Sequence, residues 1–140
     1  NTNALTDEDI SSALRQIFTN VRLKNLVEIR GADRPPYGYE MAPVSFWTGL
    51  LTVESIRFEI IKEIKNWKHE DRIRFNELSL ILNDSNLTIK NKKFSYWNKW
   101  FGELAIQGLK ERGFGEEDLF KEFFNIVMTK GPFSLQYQLK

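Results

Sequence analysis

The run LVEIR, residues 26–30, sets a carboxylate and a guanidinium two positions apart, Glu28 and Arg30. Gly31, Asp33, Pro35 and Pro36 follow at once. In an extended chain that spacing sends both side chains from the same face, roughly 7 Å apart. Two kinds of chemistry fit. In one, Glu28 and Arg30 belong to a structural ion pair on a strand. In the other, Glu28 holds a hard cation such as Mg²⁺, which prefers oxygen ligands, and Arg30 clamps a phosphate with its planar fork of donors. Asp33 either anchors the turn through its own backbone or extends the acidic site, and Asp ahead of a proline-rich segment favours the turn.

Other catalytic constellations find little support. The single histidine, His69, lies beside Glu70 and Asp71 with no second histidine and no cysteine to share a metal. It reads as the solvated end of a charged helix. No nucleophile turn, glycine-rich dinucleotide fingerprint or Walker-type loop occurs. The absence of cysteine removes disulfides, thiolate metal sites and cysteine nucleophiles from consideration.

The composition is that of a folded domain: 140 residues, 41% hydrophobic and 28% charged. Eleven Phe, four Trp and four Tyr supply a large apolar payload. The formal net charge of +1 gives no reason to expect nucleic acid or a membrane surface as partner. The basic cluster IKNKKF, 89–94, reads as a solvated loop. With no apolar run of spanning length and no leader pattern, a cytoplasmic protein is the default expectation. A chain that opens on NTNALTDED, without Met, reads as a processed or excised piece.

Periodicity supplies the elements that must position Glu28 and Arg30. A helix is expected over 7–19, capped by Thr6 and Asp9, with Ile10, Leu14, Ile17 and Phe18 on one stripe. The run 26–30 reads as a strand. Pro43 suits the first turn of a buried helix to about Leu51. A further helix carries Ile56, Ile60, Ile64 and Trp67 on one side, with Glu59 and Glu63 opposite. Residues 83–95 read as a loop. Another helix, from about Tyr96, bears Trp97, Trp100, Phe101, Leu104 and Leu109 and stops at Gly113. The last, from Glu116, bears Leu119, Phe120, Phe123, Phe124 and Val127 and ends at Gly131-Pro132. The expected fold is α+β and mostly helical: about five helices plus one or two strands of a larger antiparallel sheet. Residues 1–140 form a single segment. A lone strand needs partners for its backbone. They are sought either within 78–90 (LSLIL or NLTIK) or, the favoured choice, outside this chain or in another copy of it.

The stretch VRLKNLVEIRGADRPPY, followed by APVSFWTGLL, resembles the plant and proteobacterial type of glutamate–cysteine ligase. That family reads approximately VRLK-x-YLEMRGAD-GGPW and then ALPAFWVGLLYD. LAIQGLKERGFGEEDLF and VMTKG resemble its later segments, whereas 68–95 match poorly. The resemblance implies the carboxyl-terminal part of a glutamine synthetase-like ligase fold. It also implies an ATP- and Mg²⁺-dependent enzyme that joins the γ-carboxylate of glutamate to the amine of cysteine through an acyl phosphate. Glu28 would then be a magnesium ligand, and Arg30 the catalytic contact to the transferred phosphate. Most metal ligands and the nucleotide pocket would lie in a missing amino-terminal part, so the chain alone would be inactive. Phe46, Trp47 and Gly49 read as helix packing. RPPY in place of GGPW reshapes the loop beside the site and opens the question of the acceptor. A related carboxylate–amine ligase with another acceptor, or a non-catalytic helical interaction module on the same scaffold, are the alternatives.

Overall fold

The computed structural model describes residues 5–16, 20–23, 25–81 and 88–138. Ile17 and Phe18 of the expected first stripe lie outside them. The chain forms two compact units, 1–33 and 34–140.

The first unit begins with α1 (Asp7–Gln16). Its start is a reciprocal cap: the Asp9 backbone N–H donates to Thr6 Oγ1 (3.2 Å), and the Thr6 N–H donates to Asp9 Oδ2 (2.9 Å). The hydroxyl of Thr6 also donates to Asp9 and helps hold this carboxyl below its usual range. Next, β1 (Val21–Leu23) and β2 (Val27–Ile29) pair antiparallel, with Val21 opposite Ile29, Arg22 opposite Glu28 and Leu23 opposite Val27. This corrects the expectation that β2 finds its partners outside the chain. One edge is satisfied by VRL, which carries too short an alternation to announce itself as a strand. The other edge of β2 pairs with no strand among the described residues.

The second unit is helical around one close crossing. Helix α2 (Ala42–Leu51) carries Pro43 in its first turn, as expected. It packs on α5 (Phe94–Arg112), which ends at Gly113 with φ 75°. That left-handed conformation suits glycine and closes the helix. A Cβ on Gly49 would collide with the Ala105 carbonyl, and one on Gly108 with the Gly49 carbonyl. The two backbones therefore meet where neither can carry a side chain. Around this crossing gather Ala42, Leu50, Ile56, Leu104, Ala105, Leu109 and Phe120. Ile56 and Leu109 are fully buried, each worth about 1.5–3 kcal/mol of apolar transfer. Helix α6 (Asp118–Lys130) lays the Phe124 ring against Gly102, where a Cβ would clash.

The helix expected through Trp67 stops at Ile64 as α3 (Glu54–Ile64), and a further helix that the pattern did not announce, α4 (His69–Leu78), follows. Trp67 sits in the break and joins a second core with Leu78, Ile89 and Trp97. His69 therefore opens a helix and does not end one. Residues expected to be loop hold a second hairpin, β3 (Thr88–Ile89) with β4 (Lys92–Lys93). Its turn residues, Lys90 (φ 52°) and Asn91 (φ 60°), both take the left-handed conformation of a two-residue hairpin turn. NLTIK thus holds a strand, but it pairs with β4 and not with β2, so it does not supply the partner that was sought there. Trp97, fully buried, donates its indole N–H to the Ile89 carbonyl (3.2 Å), tying the hairpin to α5. The basic cluster is likewise engaged. Lys90 pairs with Asp71 (2.9 Å), and the Lys92 ammonium lies 4.1 Å above the Tyr96 ring. A last helix, α7 (Phe133–Gln138), was not expected from the pattern and brings the helices to seven among the described residues. The fold is α+β and mostly helical, as expected.

Two outcomes test this account. Gly49→Val should destabilise the protein by about 3 kcal/mol, because its neighbour is backbone that cannot rotate away. Exposed Lys99→Ala should change it by less than about 0.5 kcal/mol. Thermal or urea melts compare the two. Asp71 accepts from the Lys90 ammonium and from the Lys68 backbone N–H, and both bonds hold its carboxyl below the usual value. Its stabilising effect is complete above the unfolded-state value of about 3.9 and is lost as pH falls through the lower folded value. Asp71→Asn should therefore be less stable than the native chain at pH 7. That difference should shrink below about pH 4, read from urea midpoints across pH.

Candidate functional site

Glu28 occupies the middle of β2, with Val27 and Ile29 turned to the other face by the strand alternation. Directly opposite, in β1, stands Arg22. Its Nε donates to Glu28 Oε2 at 2.7 Å, and its terminal Nη2 reaches the same oxygen at 2.7 Å. The side chains are 20% and 36% exposed, so the pair is partly shielded from water. The carboxylate partner shown here is thus Arg22 of the neighbouring strand. Cross-strand neighbours have Cβ atoms about 4.5–5.5 Å apart, closer than residues two apart along one strand. Cross-strand register therefore places Arg22 within direct reach of Glu28.

Arg30 follows the strand and is half-buried; its backbone N–H donates to the Asn20 carbonyl (2.8 Å), prolonging the ladder past Ile29. Asp33 is exposed. Among the described residues no group of three or more acidic, histidine or cysteine side chains gathers as a metal site. His69 is exposed at the start of α4. Sequence reasoning missed Arg22. The signal was present, because reading VRL as a strand folded back on VEI places Arg22 opposite Glu28.

The turn after the motif belongs to the second unit. Arg34 is exposed, Pro35 and Pro36 are half-buried, and Tyr37 stands 94% exposed. Tyr39 anchors the turn. Its ring lies 5.8 Å from both Phe123 and Phe133, and its hydroxyl donates to Glu122 Oε1 (3.0 Å). Accepting that hydrogen bond, Glu122 stabilises the protonated phenol and pushes its ionisation above the usual 10.0.

The Arg22–Glu28 pair predicts a measurable coupling. A double-mutant cycle with Arg22→Ala and Glu28→Ala should return about 0.5–1 kcal/mol of mutual stabilisation, smaller at high salt. A coupling of zero in urea melts at low salt would make the contact energetically irrelevant.

No family model matches the chain. Among curated proteins, glutamate–cysteine ligase A, chloroplastic, of Oryza sativa subsp. indica is 39% identical over 131 residues, covering 89% of this chain and 25% of that protein. The chloroplastic glutamate–cysteine ligase of Medicago truncatula is 28% identical over 124 residues, 89% of this chain and 24% of its own length. That of Arabidopsis thaliana is 26% identical over 121 residues, 86% of this chain and 23% of its own. The chain thus spans about a quarter of the length of the curated relatives it matches. These relatives are chloroplastic by name, which overturns the expectation of a cytoplasmic protein. That expectation treated the cytoplasm as a default, although a compartment address is written in removable targeting segments and not in the folded core. Across nearly nine-tenths of its length, this chain is similar to a segment of plant glutamate–cysteine ligase.

Proposed function

We propose that the chain is the carboxyl-terminal part of an ATP-dependent ligase that joins the γ-carboxylate of glutamate to the amine of cysteine, the first step of glutathione biosynthesis. The observation that carries this reading is the similarity to plant glutamate–cysteine ligases over 89% of the chain. In such a reaction ATP phosphorylates the γ-carboxylate and leaves as ADP. The cysteine amine then attacks the acyl carbon, displaces phosphate and sheds a proton. Fixed positive charge around the migrating phosphoryl group is the main protein contribution to this chemistry. Arg30 supplies such a charge in this reading, and Glu28 is one oxygen donor toward Mg²⁺.

The residues present do not build a magnesium site by themselves. Glu28 is a single carboxylate already engaged by Arg22, and a hard divalent ion needs several oxygen ligands. The remaining ligands and the nucleotide pocket belong, in this proposal, to the three-quarters of the ligase that the chain does not span. The isolated chain is accordingly inactive. The second edge of β2 then continues into a strand of the missing part, or of another copy of this chain.

The engagement of Glu28 by Arg22 favours one competing reading, a non-catalytic helical module in which the pair is structural. Substitution in the full-length ligase separates them. Glu28→Gln and Arg30→Ala should each lower ATP-dependent γ-glutamyl transfer by at least about a hundredfold. Titration of Mg²⁺-ATP into the full-length protein should release heat. Native rates in both variants, with a silent titration, would leave the module.

A further inference from the structure

Helix α2 is apolar on more than the side that the helical unit covers. Residues 41–53, MAPVSFWTGLLTV, include no charged side chain. Ala42, Gly49 and Leu50 are buried on the side of the α5 crossing. Met41, Val44 and Leu51 lie on the outer side and are exposed, with Trp47 and Thr48 half-buried between them. Their spacing makes one stripe along the helix.

Helix α3 extends that stripe. The Arg57 guanidinium donates from Nη1 to the Leu51 carbonyl (2.8 Å), which holds the first turns of α3 against the end of α2. Phe58 and Ile61, one and four residues beyond Arg57, are exposed. The inner side of α3 is already filled by Ile56 and Ile60, so Phe58 and Ile61 lie outside this core. A helix that is apolar around its circumference is one that folding buries on every side, because exposed apolar surface forfeits the gain of leaving water. Interfaces that open and close keep polar character, whereas permanent ones resemble a domain core cut in half. The uncharged outer side of α2 is of the permanent kind.

We propose that the stripe of Met41, Val44 and Leu51 on α2, continued by Phe58 and Ile61 on α3, packs in the whole ligase against an apolar surface of the polypeptide outside this chain. This rests on the ligase reading above and adds to it where the rest of the enzyme docks on the helical unit. The chain spans about a quarter of the length of the relatives it matches, so such a ligase has three further quarters from which a permanent cover can come. None of the five side chains carries a charge, so the cover is apolar in turn and is held by the exclusion of water.

Hydroxyl-radical footprinting read by mass spectrometry tests this on two rings. Phe58 is 65% exposed, and Phe114, in the turn between α5 and α6, is 73% exposed. In the 140-residue chain both should be oxidised at similar rates. In the full-length ligase the rate at Phe58 should fall about tenfold relative to Phe114. The double substitution Phe58→Gln with Ile61→Gln should move the melting temperature of the 140-residue chain by less than about 2 °C, and lower that of the full-length ligase by at least about 4 °C. Equal rates at the two rings in the full-length ligase overturn the inference. So does a Phe58 already protected in the 140-residue chain, whether by a second copy or by residues 1–33. γ-Glutamyl transfer by the same full-length samples reports on the ligase reading separately. Transfer with an open stripe removes the docking alone, and native rates in both Glu28→Gln and Arg30→Ala remove the ligase reading and the inference with it.

Discussion

The helical unit depends on a contact in which two backbones touch. Gly49 of α2 meets the Ala105 carbonyl of α5, and Gly108 of α5 meets the carbonyl of Gly49. No side chain fits between them, so the helices cross at a distance that ordinary core residues would forbid. This closeness brings Ala42, Leu50, Ile56, Leu104 and Leu109 into one apolar cluster. Polar ties at the rim then hold the crossing in register. Ser55 donates to Glu111, and Arg112 reaches both Thr52 and Glu116. The Ser55 and Gln107 donors hold the Glu111 carboxyl below its usual range, and Glu116 raises the Arg112 guanidinium. These exposed contacts are worth little each.

A different constraint shapes the smaller unit. Three residue pairs make the β1–β2 hairpin, too few for independent stability on backbone bonds alone. The Arg22–Glu28 contact adds charge to that ladder and decides how the carboxylate can act. A carboxylate held by a guanidinium has most of its charge neutralised, so any cation that binds there must compete with Arg22.

Two anchors in the second unit use aromatic rings in the same manner. Trp97 pins the β3–β4 hairpin through its indole N–H, with Trp67 packed edge-on at 4.9 Å. Tyr39 pins the 34–39 turn through its hydroxyl and the rings of Phe123 and Phe133. Each buries a large apolar body and spends its single polar group on one partner. Short segments without regular structure of their own thereby acquire a defined position. Nineteen Phe, Trp and Tyr residues in 140 make such anchoring available at several places.

The sequence by itself determined the strongly marked elements and the kinship. Thr6 and Asp9 announced the cap of α1, Pro43 the start of α2, Gly113 and Gly131 the ends of α5 and α6. These signals are local, arising from a side chain's effect on its own backbone, and so they survive without knowledge of the rest. The motif around Glu28 and Arg30 pointed to the ligase relatives for the same reason, as an ordered string of residue types. Only the tertiary structure decided the pairing of short segments. VRL and TIK are too brief to carry a period, α4 shows almost no apolar face, and the break at Trp67 follows from a ring seated in a second core. Above all, the sequence set Arg30 two residues from Glu28, and the fold added Arg22 facing it from the next strand. Spacing along a chain sets which side chains share a face, but cross-strand register sets which of them touch.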